Sequence, residues 1–145
     1  MEQDTSKNTV LILDDDSDVV TSLSSLLDLE TDYNVLTFTS ASEAAEAIET
    51  NEIDLAIVDY LMPGAMDGID FLIALREKQP YSIRMIRTAY ADKENAIKAI
   101  NEVGLFKYME KPWDNNELLK IISDGMEKRA LLIQLRDQFG DSILS

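Results

Sequence analysis

Five side chains stand at the ends of apolar runs, where a reacting group would be positioned by a buried strand. Asp14 and Asp15 close the run Val10-Leu11-Ile12-Leu13, and Asp59 closes Leu55-Ala56-Ile57-Val58. Thr88 and Lys111 follow two later runs. Three carboxylates brought together repel, and at least one would protonate unless a cation intervenes. A hard divalent cation with oxygen ligands answers that need, and Mg²⁺ suits a site that shares it with a phosphoryl group. An ammonium at Lys111 neutralises phosphoryl oxygens, and the Thr88 hydroxyl can donate to one. The chain has no cysteine and no histidine. Disulfides, thiol catalysis, imidazole-assisted nucleophiles and a phosphohistidine carrier are therefore excluded. The remaining nucleophile is a carboxylate. Phosphoryl transfer asks for positioning and charge neutralisation more than covalent machinery, so this set suffices to accept a phosphoryl group on Asp59.

The elements that must hold these groups alternate strictly along the chain. After the first apolar run, Ser17 to Glu30 carries Val19, Val20, Leu23, Leu26 and Leu27 at helical spacing. Tyr33 to Phe38 reads as a strand, and Ser40-Ala41-Ser42-Glu43 fits a capping box ahead of a helix through Ala44 and Ile48. The run ending at Asp59 is followed by a loop, Tyr60 to Asp67, and a helix from Gly68 to Lys78. Ser82 to Arg87 is a strand with Arg84 and Arg87 set into its apolar pattern, and Asp92 to Val103 is a helix with Ala96, Ile97 and Ile100 inside. Leu105 to Met109 is the fifth strand, and Asp114-Asn115-Asn116-Glu117 opens a long helix to about Gln138. Five strands alternating with five helices imply an α/β fold, a doubly wound parallel sheet covered on both faces. Ligands of such sheets sit beyond the carboxyl ends of the strands. That is where the five polar groups fall.

Composition narrows the partners. The 145 residues suit one compact domain with a tail, and 46% hydrophobic content supplies its core. Thirteen Lys and Arg against 28 Asp and Glu leave a net charge of −15. Such a surface repels phosphate backbones and anionic lipid, so neither nucleic acid nor a membrane surface is expected as a partner. No stretch approaches the roughly 20 apolar residues of a membrane span. Met1 to Thr9 is polar, without a signal-peptide core, and a cytoplasmic location is expected. The expected organisation is a disordered lead over 1–8, a globular domain over 9–128 and an extended helix or linker over 129–145.

Read together, these segments resemble the receiver domain of bacterial two-component response regulators. Val10 to Asp16 (VLILDDD) resembles the family's first strand and acidic pair, and Asp54 to Gly68 (DLAIVDYLMPGAMDG) its phosphoacceptor segment. Arg84 to Asp92 (RMIRTAYAD) resembles the fourth strand with its hydroxyl residue, and Tyr108 to Trp113 (YMEKPW) the lysine-proline motif. The resemblance runs from about Val10 to Met126 and implies a flavodoxin-like sheet of order 2-1-3-4-5. It implies Asp59 as phosphoacceptor and Mg²⁺, or Mn²⁺, bound by Asp15, Asp59 and the Leu61 backbone carbonyl, with Asp14 acting mostly through water. Thr88 and Lys111 would contact the phosphoryl group, Tyr108 would reorient on activation, and the Lys111-Pro112 bond would be cis. The donor would be a sensor histidine kinase or a phosphotransfer protein. The style of the segments around Thr88 and Lys111 resembles receivers placed before separate output domains, such as sigma-54 activators or cyclic-di-nucleotide phosphodiesterases. The chain is thus expected to be a single-domain regulator or the receiver of a longer protein, and not a dedicated enzyme.

Two departures from the family pattern stand out. Asp59 and Gly68 are nine positions apart where eight is usual, which lengthens the loop around Gly64-Ala65. Arg87 stands where an apolar residue is usual, free either to reach the acidic site or to snorkel to the surface. Asp16 and Asp18 read as helix-capping and helix-dipole residues. Their spacing from Asp14 suggests a calcium loop, but Val19 replaces the required glycine and Ser25 the terminal glutamate. Trp113 reads as packing. By the same resemblance Leu61 and Tyr90 would flank the approach of water to a phosphorylated Asp59, and they are expected to slow its hydrolysis. Leu131, Leu132, Leu135 and Phe139 form an apolar series through which the last helix would pair with a second copy or lead to an output domain. Two other functions are compatible with the residues: a small Mg²⁺-dependent phosphatase with an aspartyl nucleophile, and a receiver used only for interaction. The first would want an Asp-x-Asp-x-Thr/Val run, which Asp14 to Asp18 does not complete. The second would be expected to have lost its acids or Lys111.

Overall fold

A computed structural model describes residues 7–60, 62, 64, 66–88, 94, 104, 106–110 and 113–140. Five strands, β1 (Thr9–Leu13), β2 (Asn34–Phe38), β3 (Leu55–Asp59), β4 (Ile83–Thr88) and β5 (Lys107–Glu110), form one sheet of order β2-β1-β3-β4-β5. Every pairing is parallel. Four helices are described: α1 (Ser17–Glu30), α2 (Ala41–Ala47), α3 (Gly68–Lys78) and α4 (Asn115–Phe139). The fifth helix expected, over Asp92 to Val103, lies outside the described residues apart from Glu94. So do Leu61, Tyr90, Lys111 and Pro112.

Alternation along each strand divides the core in two. Val10 and Ile12 of β1, Leu55 and Ile57 of β3, and Ile83 and Met85 of β4 pack under α1 and α4, against Val20, Leu23, Leu27, Leu118, Ile121 and Ile122. The intervening residues, Leu11, Leu13, Ala56, Val58 and Ile86, pack under α2 and α3, against Ala41, Ala44, Phe71, Leu72 and Leu75. Central strands buried on both sides are why these segments read as unbroken apolar runs.

Local chemistry starts and stops the helices. Asp16 caps α1, its Oδ1 accepting from the Asp18 N–H at 2.9 Å, so the extra acids do serve as cap and first-turn residue. Ser40 caps α2 by accepting from the Glu43 N–H. A full reciprocal box forms at α3, where Asp67 and Asp70 each accept from the other's N–H. Asp114 caps α4, which ends at Gly140 in the left-handed region. The 25 residues of α4 are pinned well beyond the sheet: Arg129 pairs with Asp54 at 2.6 Å and with Glu52 at 2.8 Å, and Arg136 lies over the Tyr81 ring. Gly125 allows the close approach of α4, since a Cβ there would stand 2.9 Å from Leu55 Cδ1.

Candidate functional site

Strand order and register assemble the acidic site. β1 and β3 are neighbours with Leu13 opposite Val58, so Asp14 and Asp59 follow side by side at the carboxyl edge. β3 and β4 are neighbours with Asp59 opposite Arg87. Asp14, Asp59 and Arg87 also share parity: each extends the residue series that faces α1 and α4. Thr88 belongs to the other series and ends β4 opposite Glu110 of β5.

The carboxylates converge. Ligand oxygens of Asp14, Asp15 and Asp59 lie within 4.8 Å of one another. Asp14 and Asp59 are buried, at 2% and 5% exposure, while Asp15 faces solvent. Two buried acids and an exposed one offer hard oxygen donors open on one side, a set that fits a small divalent cation retaining water ligands. Thr88 is buried at the same edge. Tyr108 is half-buried against the α2–α3 side of the core, opposite Ile86. The structure thus brings Asp14, Asp15, Asp59 and Thr88 to one sheet edge, while Lys111, Leu61 and Tyr90 fall outside the described residues.

Arg87 reaches the acids. Of the two courses open to it, the surface is not taken: it is 3% exposed, and its Nη1 donates to Asp14 Oδ2 in a buried ion pair. Its guanidinium carbon lies 4.2 Å from the centroid of the Trp113 ring. Burial lowers the Arg87 guanidinium from its ordinary value, against the opposing pull of Asp14 and Asp59. Asp14 is engaged on both oxygens, since Oδ1 accepts from the Asp16 N–H at 2.9 Å. Trp113 packs against the core as expected, and its ring also forms the floor under the Arg87 guanidinium.

Two further residues hold the two ends of β3. The Asp59 carbonyl is met at close range by Gly68, where a Cβ would lie 2.1 Å from the oxygen. Only glycine can begin α3 against the end of β3 in this way. At the other end of that strand Asp54 accepts from the Thr9 N–H at 2.7 Å and pairs with Arg129. Burial pushes its carboxyl up, against the pull of the Thr9 N–H and of Arg129. Sequence reading missed this pair because 75 residues separate its members and nothing periodic links them.

Comparison with known proteins agrees with the geometry. The sequence model described as the response regulator receiver domain matches residues 10–123. The hydrogenase transcriptional regulatory protein HoxA of Cupriavidus necator is 33% identical over 123 residues, covering 85% of this chain and 25% of that protein. The chain thus spans about a quarter of the length of that relative. Among solved structures, a response regulator receiver domain protein from Clostridium thermocellum superposes with a TM-score of 0.78 at 31% identity, covering 86% of this chain and 98% of that one. The signal receiver domain of an HD domain-containing protein from Pseudomonas fluorescens gives a TM-score of 0.79 at 28% identity, covering 86% and 98%. A five-stranded parallel sheet of this order, three acids at its carboxyl edge and these likenesses agree: the chain belongs to the response regulator receiver domain family.

Proposed function

We propose that the chain is a phosphorylation-controlled receiver whose Asp59 takes a phosphoryl group from a histidine kinase or a phosphotransfer protein. The observation that carries this reading is the convergence of Asp14, Asp15 and Asp59 within 4.8 Å, two of them buried, at the carboxyl edge of the sheet. In the transfer a carboxylate oxygen of Asp59 attacks phosphorus, the bond from phosphorus to the donor nitrogen breaks, and the imidazole leaves. Asp15, Asp59 and the Leu61 carbonyl would hold Mg²⁺ directly, and Asp14 would act through water. The ion supplies charge neutralisation of the phosphoryl oxygens. Thr88 and Lys111 contact the phosphoryl group in this proposal, and Tyr108 carries the change to the surface.

The relatives named above extend the reading to an output. HoxA is named a transcriptional regulator, and the Pseudomonas neighbour an HD domain-containing protein. We infer that this receiver passes its signal to an output domain or a downstream protein, in the cytoplasm. Among the described residues no helix is long and apolar enough to cross a membrane.

The test is intact-protein mass after incubation with Mg²⁺ and acetyl phosphate. The wild type gains one phosphoryl group, hydroxylamine removes it because the linkage is an acyl phosphate, and Asp59→Asn gains nothing. A wild-type mass left unchanged by acetyl phosphate and by a phosphorelay donor overturns the reading. Steady turnover of a phosphomonoester without phosphoprotein would favour the phosphatase instead.

A further inference from the structure

Asp14 has no unengaged oxygen. Its Oδ1 takes the Asp16 N–H, which fixes the turn into α1, and its Oδ2 takes Arg87. The guanidinium is held from below by Trp113, at 4.2 Å, and faces Asp59 across the β3–β4 register. Its Nε is buried with no hydrogen-bond partner among the described residues. The arginine is thus aimed at the acids by stacking and strand register, with one donor left unmatched, which weakens its hold on the pocket. A guanidinium there supplies the positive charge that three clustered carboxylates require.

We propose that Arg87 is a tethered counter-ion that competes with the divalent cation for Asp14. Loading the site requires Asp14 Oδ2 to exchange Arg87 for the ion or for a water on the ion. The guanidinium withdraws from Asp14 while staying near Trp113. The two positive charges repel at this distance in a poorly hydrated pocket, so each lowers the occupancy of the other. The acidic site is consequently charge-compensated before it is loaded, and it binds Mg²⁺ more weakly than its three carboxylates would alone. This inference rests on the reading of the acids as a metal site.

The test is a calorimetric Mg²⁺ titration of the full chain, wild type against Arg87→Met, without any phosphodonor. The substitution is expected to tighten Mg²⁺ binding by about tenfold, which corresponds to about 1.4 kcal/mol of relieved repulsion between the two cations. The thermal midpoint of Arg87→Met should also rise more on adding Mg²⁺ than that of the wild type. Equal or weaker binding by the variant overturns the proposal and leaves the metal site standing. Absence of saturable Mg²⁺ binding in both proteins overturns the metal reading and the proposal with it. If Arg87→Met does not fold, the wild type alone decides. Trp113 is the only tryptophan, and its emission should change along the Mg²⁺ titration as the guanidinium shifts. Calorimetric binding with unchanged emission overturns the proposal.

Discussion

Arg129 donates to Asp54 across 2.6 Å, tying the far half of the last helix to the residue that precedes β3. Both side chains are nearly buried, and Asp54 is also held by the Thr9 N–H. The extension beyond the sheet is therefore part of the folded domain at this point, which is where the sequence left a choice between a helix laid back on the domain and a free signalling segment.

Removing one partner of this pair leaves a carboxylate in a poorly hydrated place, which for a buried pair costs about 3 kcal/mol. Arg129→Met is expected to lose close to that amount at neutral pH. The sign with pH follows from Asp54. Its carboxyl is raised in the folded state by burial, and losing Arg129 raises it further. A carboxyl raised above its unfolded value, about 3.9, binds protons better when folded, so its penalty grows as pH rises through that window. Urea denaturation should show a smaller deficit for Arg129→Met at pH 5 than at pH 7.5, and Asp54→Asn/Arg129→Met should recover most of it. Equal deficits at both pH values would show that Asp54 is not the group left stranded.

Gly68 has no room for a side chain. In Gly68→Ala the Cβ would meet the Asp59 carbonyl at 2.1 Å and Val58 Cγ1 at 2.9 Å. The first contact is with backbone, so the start of α3 must move away from β3. Overpacking of this kind costs about 1–3 kcal/mol. The movement also displaces the loop that follows Asp59. Gly68→Ala is expected to unfold at lower urea and to take up phosphoryl from acetyl phosphate several-fold more slowly. Wild-type rates in a destabilised variant would separate the packing role from any role in the site.

The fold was legible because its strands are buried on both faces: runs such as Val10–Leu13 and Leu55–Val58 have no other reading of comparable simplicity. The acids were legible for the same reason, since a charged residue ending such a run must lie at a strand end. Sheet order was not available from the runs themselves and came with the family resemblance. The Arg87–Asp14 pair was half visible. An arginine inside an apolar strand signals a buried partner, but only strand order decides that the partner is Asp14. Trp113 gave no hint of its role, because stacking under a guanidinium leaves no spacing pattern.

The far end of α4 has an uncovered face. Leu131, Leu135 and Phe139 are 60%, 42% and 67% exposed and recur every four residues, on a helix whose other side is held by Arg129 and Arg136. A second copy of the chain is the proposed cover, giving a helix-to-helix dimer. Sedimentation should show a dimer for the wild type and a monomer for Leu131→Ser/Leu135→Ser/Phe139→Ser. Point substitutions are needed, because truncation after Lys128 would also remove Arg129. A wild type that remains monomeric with and without phosphorylation would count against the dimer.

The lifetime of the phosphorylated state depends on water reaching phosphorus in line with the bond to Asp59. Leu61 and Tyr90, two beyond Asp59 and two beyond Thr88 in the sequence, are proposed to flank that path. A leucine has no donor or acceptor with which to orient a water, and a tyrosine ring obstructs one. Slow self-dephosphorylation is expected, of the kind that suits a transcriptional or second-messenger output better than rapid motility control. The measurement is the decay of phospho-Asp59, after the phosphodonor is removed, in the wild type and in Leu61→Asn/Tyr90→Glu. Polar groups at both positions should shorten the lifetime several-fold. Leu61→Asn and Tyr90→Glu made singly would then assign the effect to water orientation or to obstruction, since the first restores a hydrogen bond and the second removes the ring. A double variant that decays no faster than the wild type would place control of the lifetime elsewhere, with the lengthened loop around Gly64 as the next segment to shorten by one residue.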